Sequence, residues 1–246
     1  MLATICTRLA LGLILFLPLI WKCLPHPRFV RTQFATALGL FVVALLASWG
    51  ETSAVDLSVL SLAAAMALGG AIAWTLEPAP LGMPLIVGTI LLTGFALARL
   101  NWGAETFGWL LAGNIASAAL LGSSMTAMLV GHSYLISPGL ALTPLLRLLA
   151  ALFVSIGVRA AVAGGALAFW LSEAGGHNLT TEDWLWLPVR WIVGFVAPLI
   201  FGWMALSSAR IRSTQSATGI LYVAVVCVIL GELVGLLLEK SHALPL

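Results

Sequence analysis

Charge is what this sequence holds least of. Asp, Glu, Lys and Arg make up 8% of its 246 residues, where a water-soluble domain carries about a quarter. So few charges cannot cover a water-facing surface, which excludes an ordinary soluble globule. The net charge is +2 and no basic run occurs, so the electrostatic footprint of a nucleic-acid binder is missing. Cysteine is scarce as well. Cys6, Cys23 and Cys227 stand far apart without CxxC spacing, which argues against a disulfide framework or a thiolate metal site. No Walker loop, GxSxG, HExxH or DxD cluster occurs, and common hydrolase and NTPase chemistry loses its support.

What fills the chain is apolar: 61% hydrophobic residues and a mean hydropathy of +1.11. A bilayer core takes roughly 20 apolar residues per helix. Eight runs reach that length, at about 3–21, 33–49, 55–75, 84–100, 108–130, 144–171, 189–207 and 217–238. The expectation is an all-α, polytopic integral membrane helix bundle of about 8 transmembrane helices, with residues 1–246 as one transmembrane domain. The first run has Arg8 before its apolar core but no small-x-small cleavage pattern, and its positive cluster follows the core; it reads as a retained helix.

The interruptions carry helix punctuation. Ser53 with Asp56 reads as a capping box, Thr143–Pro144 as an N-cap before a first-position proline, and "EPAPLGMP" as a turn. The ten tryptophans fall near expected helix ends, where indole favours the headgroup boundary. Orientation follows from the short loops. Lys22, Arg28, Arg31, Arg147, Arg210 and Arg212 collect on one side; Arg8, Arg99, Arg190 and Lys240 fall on the other, with most acids. The positive-inside rule then puts both termini outside, as in a bacterial plasma (inner) membrane. The outer segment "SEAGGHNLTTEDWLWLP" is expected to hold an interfacial helix capped by Thr180, with Trp184 and Trp186 in lipid.

Arg159 is the costliest residue, near the middle of the sixth run, where a charge costs at least roughly 2.5–3.5 kcal/mol. Glu232 in "VILGELVGLLLEK" is its expected partner. The two helices run the same way and the offset is about 6 Å at 1.5 Å per residue. Gly231, Gly235, Gly157, Gly164 and Gly165 leave room for close approach. Register-fixing and proton or anion handling both remain open for this pair.

A second candidate surrounds "GHSYLISPG". Asn114 precedes His132 by eighteen residues, five helical turns, so both project from one face with Ser117 between them. With Tyr134, Arg147, Arg210, Arg212 and Gln215 near the same boundary, this face offers donors for a carbonyl, a phosphate or a quinone head group. The alternative is a helix end anchored by His132 and Tyr134. Met125, Met128 and His132 at i, i+3 and i+7 would suit Cu(I), although methionine commonly fills gaps in packed helices. Copper is not expected. Nor is bis-histidine haem, because His26, His177 and His242 lie outside the spans.

Eight helices with both ends outside, a polar inner patch and the late "GELVG" segment make the chain similar to the quinol-oxidising membrane anchors of the DMSO-reductase type. The likeness covers topology and that short segment. It implies a quinone site and soluble, cofactor-bearing partner subunits. The functional expectations are a respiratory or redox-complex membrane subunit, with a small-solute or metal-ion transporter built on the Arg/Glu pair as the alternative. A membrane assembly factor and an intramembrane lipid enzyme follow.

Overall fold

The structure is a computed structural model describing residues 1–20, 27–50, 52–76, 79, 81–136, 141–173 and 181–246. Among them every regular element is helical: α1 Leu2–Leu15, α2 Leu17–Ile20, α3 Pro27–Ser48, α4 Ala54–Ala73, α5 Gly82–Leu100, α6 Phe107–Ile136, α7 Thr143–Glu173, α8 Thr181–Trp191, α9 Ala197–Arg210 and α10 Thr214–His242. A π-helical turn, Ile192–Val196, joins α8 to α9. With α1–α2 and α8–α9 each taken as one span, eight stretches are long and apolar enough to cross a membrane. Large apolar side chains such as Leu46, Leu62, Leu91, Val154 and Trp203 remain exposed on them, as lipid requires and water would penalise. The protein is an all-α membrane helix bundle.

By internal contacts the chain gathers into two compact units, Met1–Trp102 and Gly103–Leu246. Each is an up-down-up-down arrangement in which successive spans pack and the last returns to the first: α5 against α1, and α10 against α6. Short connections between spans enforce this antiparallel order.

In unit 1, α1 stops at Phe16 and resumes as α2, because Pro18 has no N–H and its ring clashes with the preceding turn. Ser53 caps α4: its Oγ accepts from the Asp56 N–H and its hydroxyl donates to the Asp56 carboxylate at 2.6 Å. Phe34 of α3 packs so closely on Gly70 of α4 that a β-carbon there would overlap its ring.

Unit 2 departs from the expected boundaries. Its helices overrun the apolar stretches, because hydropathy marks where polar side chains begin, not where the backbone ladder ends. α6 continues through His132 to Ile136, and α10 spans Thr214–His242 rather than 217–238. α7 opens one residue earlier than the Thr143 cap implies, with the Leu142 carbonyl accepting from the Leu146 N–H. No separate interfacial helix forms at residues 181–187; they are the first turns of the seventh span, which runs Glu182–Arg210. Trp191 accordingly lies roughly 15 Å inside that helix, packed on Phe195 at 5.2 Å, rather than at a boundary. Thr180, the turn at 77–80, and residues Trp21, Lys22, Cys23, His26, Glu51, His177 and 137–140 fall outside the described residues, in whole or in part.

Candidate functional site

The seventh span widens where sequence and backbone conflict. Pro198 has no N–H to bond the carbonyl four residues back, at Gly194. The Ala197 N–H reaches instead to the Ile192 carbonyl, five residues back, and the helix takes up an extra residue. Such π turns are frequent at functional sites. This one sets Gly194 against Gly231 of α10 so tightly that a β-carbon on Gly231 would overlap the Gly194 backbone.

That approach carries Arg190 into the centre of unit 2. Its Nη2 donates to Glu232 Oε1 at 2.9 Å, and its guanidinium lies 4.4 Å from the centroid of the Phe195 ring, a cation–π contact. Arg159 of α7 reaches the same carboxylate from another side, its Nε 3.3 Å from Oε1 and 3.4 Å from Oε2. The Ser117 hydroxyl donates to Oε2 at 2.6 Å. Arg159, Arg190, Glu232, Ser117 and Asn114 are all 0% exposed. A β-carbon on Gly235 would stand 3.2 Å from Arg190 Cζ and 3.4 Å from Arg159 Nη2, so the bare glycine gives both cations their space. Arg190 Nε and Nη1 meet no acceptor among the described residues. One carboxylate therefore sits between two permanently charged groups, in a setting where losing it is costly.

The structure divides the remaining site residues. Ser117 joins the ion cluster, and Asn114 lies buried one turn from it, whereas His132 stands exposed at the other end of α6. His132 Nδ1 lies 3.3 Å from the Tyr222 hydroxyl of α10. The helices meet there because Gly131 has no side chain: a β-carbon would come within 2.8 Å of Thr218 Oγ1. Gln215, Thr218 and Tyr222 share one face of α10 at i, i+3 and i+7, with Gln215 exposed. Tyr134 turns inward; its hydroxyl donates to the Ala141 carbonyl at 2.6 Å and ties α6 to the approach of α7. Arg147, Arg210 and Arg212 are exposed. Met128 is 6% exposed and Met125 half-buried, while His132 faces outward.

Sequence reasoning missed two residues. The apolar run beginning at 189 puts Arg190 at an outer boundary, whereas the helix that starts at Thr181 carries it inside. Tyr222, one of two tyrosines, lay within an apolar run and carried no motif. Arg8, also assigned outside, is fully buried in unit 1. A third pair closes the far end of unit 2, His242 Nε2 to Asp183 Oδ1 at 2.7 Å, with Trp170 edge-on to the imidazole at 4.9 Å. Comparison with protein-family models, curated proteins and solved structures finds no match.

Proposed function

We propose that this protein is a membrane subunit of a redox assembly in a bacterial inner membrane, and that it takes a quinone head group from the bilayer between α6 and α10. The observation that supports this reading is the His132–Tyr222 pair. An imidazole and a phenol, 3.3 Å apart and on exposed faces, offer hydrogen bonds to a carbonyl oxygen arriving sideways from lipid. Quinone reduction needs protons as well as electrons, and the two ring nitrogens of an imidazole can accept and donate a proton. The electrons would come from a soluble, cofactor-bearing partner. Both termini facing outward belongs to the same reading and rests on the loop charges.

Photolabelling with an azidoquinone in nanodiscs tests it. The label is expected on peptides carrying His132 or Tyr222, and His132→Ala and Tyr222→Phe should each cut it about tenfold, a loss of about 1.4 kcal/mol. Label spread evenly over lipid-facing residues, or unchanged in both variants, would overturn the reading. Solute movement in liposomes by the protein alone would favour the transporter alternative, which the buried Arg159–Glu232–Arg190 cluster supports.

A further inference from the structure

Residues 243–246 follow α10 but do not leave the bundle. Ala243 turns the chain with φ 54°, and the segment folds back into one end of unit 2. Leu244 and Leu246 are 4% and 2% exposed, packed with Ala166 and Leu238 beside Trp109 and Trp170. The Thr106 hydroxyl donates to the Ala243 carbonyl at 2.7 Å. Arg159 Nη1 donates to the Pro245 carbonyl at 3.0 Å. α6 leaves room for Pro245 at Gly113, where a β-carbon would overlap its ring.

Helix bundles ordinarily fill their cores with side chains of their own helices. Here an extended segment does so, presenting one oxygen to a buried guanidinium between two apolar side chains. That is the outline of a ligand with a polar head and an apolar body. Arg190 adds positive charge beside it: a β-carbon on Gly235 would stand 3.2 Å from Arg190 Nε and 3.4 Å from Arg159 Nη2, so the two guanidiniums flank Gly235.

We infer that this end of unit 2 is a chamber for a carboxylate-headed apolar molecule drawn from the bilayer, and that residues 244–246 are its internal stand-in. A guanidinium binds a carboxylate more strongly than a neutral carbonyl. A fatty acid carrying the same apolar bulk therefore competes with the segment, and occupancy follows their difference in affinity. The chamber lies at the opposite ends of α6 and α10 from His132 and Tyr222, so either site can fail without the other.

The test uses the full chain in nanodiscs and a photoreactive palmitate. Leu244→Ser/Leu246→Ser loosens the segment without altering the guanidiniums. This variant is expected to bind the probe about tenfold more tightly than wild type, removing part of the competition. Unlabelled palmitate should displace the probe and methyl palmitate should not. Equal binding by both proteins, or equal displacement by the ester, overturns the inference. Should the double variant fail to fold, Gly113→Ala, which displaces Pro245, carries the same expectation. In wild type itself, saturating palmitate must speed amide exchange at residues 244 and 246; unchanged exchange contradicts the proposal.

Discussion

Unit 1 and unit 2 close in the same way, yet their spans differ by half a length. Those of unit 1 hold 19–21 residues and those of unit 2 hold 29–30. At 1.5 Å per residue these are roughly 30 and 45 Å, the thickness of a hydrocarbon core and of a whole bilayer with its head groups. The ion pairs among the described residues differ in kind too, although Arg8 of unit 1 is also fully buried. Asp56–Arg99 in unit 1 lies 22% and 29% exposed at helix ends; the Arg159–Glu232–Arg190 pairs in unit 2 are wholly enclosed. Unit 1 resembles a minimal membrane bundle. The additional length of unit 2 accommodates a buried cluster of two arginines and one glutamate at depth and polar pairs at both ends, which makes it the place to look for function.

This contrast can be broken by substitution. Glu232→Gln should have the largest effect, because it leaves two buried guanidiniums without their shared carboxylate: a loss of about 3–5 kcal/mol, read from denaturant unfolding in mixed micelles. Gly231→Ala should follow, at about 1–3 kcal/mol, since the added methyl meets backbone rather than a yielding side chain; a neutral result would mean that the π turn and α10 are not in contact. Arg99→Ala in unit 1 should cost under about 1 kcal/mol, as a partly exposed pair does, and the loss should shrink further in high salt. A cost for Arg99→Ala as large as that for Glu232→Gln would erase the distinction between the units.

Much of the fold was legible because lipid imposes a coarse rule: long apolar stretches form helices. The Ser53 cap could be read from residue spacing alone. So could the juxtaposition of Arg159 with Glu232, since depth and direction followed from counting residues along two helices. Arg190 was not legible. Its position depends on a helix beginning among polar residues and on a π turn beside Pro198, neither of which hydropathy registers. The grouping of Ser117 with Glu232 rather than His132 was equally hidden. Periodicity identifies a shared face, but α6 is long enough for that face to meet different neighbours at its two ends.

The central claim is that two cations in unit 2 depend on one carboxylate. Its most direct measurement compares the unfolding free energies of Glu232→Gln and of the triple variant Arg159→Met/Arg190→Met/Glu232→Leu. The account predicts that the triple variant regains most of the stability lost by the single one, ending within about 1 kcal/mol of wild type or above it. A Glu232→Gln protein as stable as wild type, or a triple variant no better than Glu232→Gln, would contradict it.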